Sequence, residues 1–150
     1  MEIITIIISS VSAIAAAISA FFSYKTLKAA LSLFEKEKYE KLEDELNKII
    51  EISIEYPYIE SKTFTSQWMT YKDSEDERYL RYDMFCNRLY NFLHRVCEHF
   101  KYDKQLVEDF VDIKSWIRMH KLNWLNPIDE NENIDGYDQK FRDFINSYLI

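Results

Sequence analysis

Residues 3–22 read IITIIISSVSAIAAAISAFF, a stretch without a single charged side chain. A helix of this length rises about 30 Å, which matches the hydrocarbon core of a membrane. Two alternatives fit the residues less well. A signal peptide would carry basic residues where Glu2 stands, and a helix that is apolar all round is unusual in the core of a domain this small. The stretch therefore predicts a single transmembrane helix over residues 1–23.

The flanks of this stretch predict its orientation. Lys25 and Lys28 follow it closely, whereas only Glu2 and the amino terminus precede it. Basic residues near a span stay on the cytoplasmic side, so the amino terminus is expected outside and the remainder of the chain in the cytoplasm. The two cysteines, Cys86 and Cys97, are consistent with the reducing conditions of the cytoplasm. In a helical stretch they lie roughly 16 Å apart, too far to bridge, so we expect reduced, half-buried thiols.

Polar and small residues follow one face of the predicted span. They recur at alternating spacings of four and three residues: Thr5, Ser9, Ser12, Ala16, Ser19, Ser23 and Thr26. We call this set the polar stripe. It indicates either a seam between packed helices, because small residues allow close approach, or the lining of a pore in a ring of copies. Both interpretations require self-association. The third possibility is a simple membrane anchor in which the stripe makes no specific contact with other copies.

The apolar stretch runs into a second segment that also has helical character. No residue before Pro57 breaks a helix, and the apolar residues recur at spacings of three, four or eight: Leu27, Leu31, Phe34, Leu42, Leu46 and Ile49. This periodicity predicts a long connecting helix over residues 24–56, continuous with the membrane helix. Pro57 is expected to end it.

Residues 57–150 predict a small cytoplasmic helical bundle, so the fold class is all-α. The chain holds one glycine and two prolines, too few for the turns of a sheet, and its aromatic content of 16% suits a filled core. Apolar periodicity predicts helices over 75–101, 103–121 and from Asp138 onward. Residues 57–75 are expected to be irregular, with Trp68 and Met69 as docking points.

Composition excludes several classes of chemistry. A net charge of −7 disfavours direct binding of nucleic acid over a broad surface. One glycine is too few for a glycine-rich phosphate loop, and the three histidines and two cysteines lack the spacing of common metal sites. We therefore expect neither a cofactor nor a metal ion.

One motif has catalytic potential. In NRLYNFLHRVCEHF (87–100), Arg88 and His94 are separated by five residues. A histidine can move a proton and an arginine can stabilise a phosphorane during RNA cleavage. Six positions along a helix place the two side chains about 120° apart, so they converge only at a helix end, at a bend or between two chains. Alternatively, Arg81, Arg88 and Arg95 recur every seven residues as a solvated or inter-subunit ridge.

The uncharged span, the long helix, the small acidic bundle and the Arg88–His94 motif together resemble the small HEPN-like membrane accessory proteins of type VI-B CRISPR systems. The resemblance covers the whole layout. Leu89 stands where HEPN nucleases usually carry a polar residue. The resemblance implies an oligomer in the bacterial inner membrane, working beside an RNA-guided effector nuclease in antiphage defence by making the membrane leaky.

The leading functional hypothesis is therefore a homo-oligomeric pore or pore-like ring. The polar stripe would line it or form its helix seam, and Arg81, Arg88 and Arg95 would contact neighbouring subunits. A membrane-tethered HEPN-like ribonuclease that uses Arg88 and His94 is the first alternative. The second is a non-catalytic tether that holds a soluble partner at the membrane.

Overall fold

The computed structural model describes the backbone of residues 2–149, together with the side chains of Ala16 and residues 18–149. Within this part of the chain the structure is helical and contains no strand, which confirms the all-α prediction. The helices are α1 (Glu2–Glu55), α2 (Lys62–Thr65), α3 (Trp68–Tyr71), α4 (Glu77–His99), α5 (Lys104–Phe110), α6 (Ile113–Leu125), α7 (Glu132–Gly136) and α8 (Gln139–Asn146). The chain forms two compact units, Met1–Lys41 and Leu42–Ile150.

The first unit consists of the amino-terminal part of α1, whose helix runs through the predicted membrane segment and connecting segment without a break. Every side chain from Ile18 to Lys41 is exposed. Its contacts are local: Lys36 Nζ lies 3.5 Å from Glu40 Oε1, and Lys25 Nζ lies 4.9 Å from the centre of the Phe21 ring.

Across the described residues, no helix combines the length and apolar character that crossing a bilayer requires. Most side chains of the predicted span, residues 3–15 and Ala17 among them, lie outside the described residues.

The second unit is built around α4, which contributes buried residues along its whole length, from Tyr79 to Cys97. The last turns of α1 pack on this core through Leu42 and Ile49, which are buried. Helix α6 packs against α4, and α2 and α3 pack against α6. Cys86 and Cys97 are free thiols, as expected, but both are fully buried and not half-buried, because α4 has core on more than one side.

The segment predicted as irregular has more order than expected. It contains a 3₁₀ turn at Pro57–Glu60 and the single-turn helices α2 and α3. Trp68 is fully buried and its Nε1 donates a hydrogen bond to the Asn126 carbonyl at 2.8 Å, so it docks this segment as predicted. Met69 does not, because half of its surface is exposed. Helices of one turn carry too few residues to show periodicity.

The helix predicted over 103–121 is two helices. Val111 adopts an extended conformation between them, and the side chain of Asp112 accepts a hydrogen bond from the Ser115 amide at 3.2 Å. Such an N-cap starts a new helix, here α6. The sequence did not reveal this break because the apolar spacing continues across it, although about half of the Leu106 surface is exposed.

Candidate functional site

Arg88 lies in a shallow groove between the last turns of α1 and helix α4. Lys48 and Asn91 line the same groove, and Ile49 and Phe92 are its apolar components. Arg88 is exposed, and within the described part of the chain its guanidinium makes no hydrogen bond or ion pair. The groove therefore offers unpaired positive charge to a binding partner.

The other two arginines of the heptad ridge are engaged within the chain. Arg95 donates to Glu45 Oε2 through Nε at 2.9 Å and through Nη2 at 2.8 Å, which ties α4 to α1. Arg81 donates to the Tyr58 hydroxyl at 3.0 Å, pairs with Glu77 and stacks its guanidinium 4.3 Å from the Tyr56 ring centre. Of the ridge, only Arg88 retains a free guanidinium among the described residues.

His94 lies at a different place, against the carboxy-terminal part of the chain. Its ring centre is 4.8 Å from that of Phe141 and 5.7 Å from that of Tyr137, and 29% of the side chain is exposed. Its Nε2 lies 3.7 Å from Asp138 Oδ2, too long for a hydrogen bond. Within the described chain this buried nitrogen has no hydrogen-bond partner.

The structure does not bring Arg88 and His94 into one site on a single chain. Arg88 faces α1 and His94 faces α8, while α4 continues as a helix through both positions. A helix end at His94, the condition under which one chain would bring the two side chains together, is not present. An Arg88–His94 pair would need a second copy.

His94 belongs to a cluster of three possible metal ligands that was not predicted from the sequence. Ligand atoms of His94, Glu98 and Asp138 all lie within 4.8 Å of one another. His94 and Glu98 are four residues apart on α4, a spacing visible in the sequence. Asp138 reaches them only because it caps α8, accepting a hydrogen bond from the Phe141 amide at 2.8 Å. That hydrogen bond is the main reason why the pKa of Asp138 is lowered.

A second histidine is part of the core. His120 is fully buried, and its Nδ1 lies 3.1 Å from the Tyr82 hydroxyl. The Tyr90 hydroxyl donates to the His120 carbonyl at 3.0 Å. Nearby, complete burial raises the pKa of the Cys86 thiol well above its usual value, which keeps it protonated. Because a substrate cannot reach these groups, we assign them to packing.

The polar stripe is described only in part. Ala16, Ser19, Ser23 and Thr26 are exposed on α1. The side chains of Thr5, Ser9 and Ser12 lie outside the described residues. These four described residues of the stripe are thus accessible to a neighbouring helix or to water.

Comparison with known proteins adds no relative from which a function could be carried over. The chain matches no protein-family model, and neither a curated protein nor a solved structure is significantly similar to it.

Proposed function

We propose that this chain is a single-pass protein of the bacterial inner membrane that self-associates into a pore or pore-like ring and permeabilises the membrane in antiphage defence. Its amino terminus lies outside and its helical bundle lies in the cytoplasm. The observation that carries the proposal is the uncharged stretch 3–22, with its seven-residue polar repeat, at the head of the unbroken helix α1.

Self-association is supported by the apolar stripe of α1. Leu42 and Ile49 belong to this stripe and are buried in the second unit. Leu27, Leu31 and Phe34 continue it toward the amino terminus, yet they are 59%, 56% and 54% exposed. Exposed apolar patches of this kind mark interaction surfaces. A second copy of the same helix carries the matching stripe and is the partner we assign to it.

The polar stripe supports a ring in preference to an isolated anchor. Hydroxyl groups turned toward lipid gain nothing, whereas they gain hydrogen bonds at a helix seam or contact with water in a pore. Ser19 and Ser23 are exposed on α1 and available for either role. Since the stretch carries no charged side chain, a pore of this kind would be weakly selective.

In this proposal the cytoplasmic unit supplies contacts between subunits and receives the signal. Arg88 is the best-placed contact, because its guanidinium is exposed and unpaired in the described chain. An acidic surface suits it, and the net charge of −7 provides acidic side chains on neighbouring copies. An RNA-guided effector nuclease of the same system is the expected functional partner.

The polar stripe can be tested by solute flux through liposomes that contain the full chain. Replacing Ser12 and Ser19 by leucine places two apolar side chains on the stripe, and we expect flux to fall by at least about tenfold because the water path is dewetted. Ser10→Leu is the matched control, since Ser10 lies off the stripe, and it should leave flux unchanged. Equal flux in the double variant and the wild type would contradict the lining assignment.

A further inference from the structure

We propose that His94, Glu98 and Asp138 form a binding site for a divalent transition-metal ion, for which Zn²⁺ is the best match. The proposal rests on the juxtaposition of one imidazole and two carboxylates from α4 and the start of α8, with ligand atoms within 4.8 Å of one another. It is independent of the membrane proposal, because all three residues belong to the second unit.

The separation of two of the three ligands, His94 and Asp138, is close to that around a coordinated ion. Metal–ligand bonds of about 2.0–2.1 Å at a tetrahedral centre place the ligand atoms about 3.3 Å apart. The distance of 3.7 Å from His94 Nε2 to Asp138 Oδ2 is already near this value. Glu98 lies one helical turn after His94 on the same face of α4, so rotation of its side chain brings it to the same point.

Two of the three ligands are held in place by other contacts. Asp138 uses Oδ1 to cap α8 through the Phe141 amide, which leaves Oδ2 for the ion. The His94 ring is packed against Phe141 and Tyr137. Ligands that are fixed before binding lose less conformational entropy when the ion arrives.

His94 Nε2 is buried and makes no hydrogen bond within the described chain. Buried polar atoms are normally satisfied, and a bound ion would satisfy this nitrogen.

The donor set selects the class of ion. Imidazole nitrogen favours zinc and its transition-metal neighbours over Mg²⁺ and Ca²⁺, which prefer all-oxygen sites, and the cluster has no thiolate that would favour Cu(I). Glu98 and Asp138 are exposed, so solvent can complete the coordination. The bound ion would cross-link the end of α4 to the start of α8.

The test is calorimetric titration of Zn²⁺ into the full chain in detergent, after removal of any affinity tag and treatment with a chelator. We expect one ion per chain and a higher unfolding temperature when zinc is bound, since a ligand specific for the folded state stabilises it. Binding that is absent, or too weak to saturate, overturns the proposal.

Three variants locate the ion. Asp138→Asn retains a capping side chain but loses the charge, Glu98→Gln alters an exposed residue, and His94→Gln removes the imidazole. Each should weaken zinc binding by at least about tenfold. The matched control is Asp112→Asn, the same substitution at the cap of α6, which should bind zinc as the wild type does. Stoichiometric binding that survives all three variants, or is weakened equally by the control, contradicts the site.

Discussion

His120 shows how the core of the second unit accommodates a polar side chain. It has no exposed surface, yet its Nδ1 lies 3.1 Å from the Tyr82 hydroxyl and its Nε2 lies 3.6 Å from a Glu60 carboxylate oxygen. Its ring also packs 5.5 Å from the Phe85 ring, centre to centre. A buried polar group costs stability unless it is paired. The Tyr82 hydroxyl pairs with Nδ1 and so joins α4 to α6, whereas Nε2 makes no hydrogen bond within the described chain.

We predict that His120→Ala lowers the free energy of unfolding by about 3 kcal/mol, because it leaves a cavity and a buried tyrosine hydroxyl without its partner. Tyr82→Phe removes only the hydroxyl and should cost about 1 kcal/mol. Denaturant unfolding of both variants measures the difference. A loss for His120→Ala no larger than that for Tyr82→Phe would show that the ring is not a packed part of the core.

The positions of Arg88 and His94 also explain why their spacing was visible in the sequence although the fold does not bring the two side chains together. Arg88 and His94 share one helix, and a helix fixes the angle between two positions regardless of what packs around it. Asp138 lies forty-four residues after His94, and its proximity depends on the path of the chain through α5, α6 and α7. Spacing along the sequence carries no signal for such a contact.

At the scale of elements, α1 is one helix with two environments. Its apolar stripe is buried at Leu42 and Ile49 and exposed at Leu27, Leu31 and Phe34. The same periodic pattern therefore serves the core at one end and, in the proposed oligomer, an interaction surface at the other. Periodicity predicts which side chains share a face, but what covers that face depends on the assembly.

We predict that Ile49→Ala and Leu31→Ala have different effects although both remove apolar side chains from the same stripe. Ile49→Ala should lower the free energy of unfolding by about 2–4 kcal/mol, because the side chain is 1% exposed. Leu31→Ala should leave unfolding nearly unchanged and weaken self-association, measured by light scattering on the detergent-solubilised protein. Unchanged self-association for Leu31→Ala would remove this stripe from the interface.

Helix boundaries were predictable where a capping residue coincided with a change in periodicity. Asp76 and Asp138 cap α4 and α8 close to the predicted starts, each accepting a hydrogen bond from a backbone amide of the first turn. The boundary at Asp112 has the same chemistry, but apolar spacing continues across it, so the cap was overlooked. Sequence reasoning predicted the long helices and missed the one-turn helices, whose order comes from tertiary packing such as that of Trp68.

At the scale of the whole molecule, the proposed single span leaves the chain few ways to act on a membrane. One helix cannot enclose a water path, so permeabilisation requires a ring of copies. A tether needs only the anchor, and a ribonuclease built from Arg88 and His94 needs two chains to bring those residues together. The three hypotheses therefore differ in the number of subunits that each requires.

The measurement that tests the central claim most directly is the mass and symmetry of the full chain extracted in detergent, by native mass spectrometry and single-particle imaging. We predict a ring of at least about five copies with the amino-terminal helices around a common axis. A compact dimer would contradict the pore and favour the two-chain nuclease. A monomer would contradict self-association itself and leave the tether as the working account.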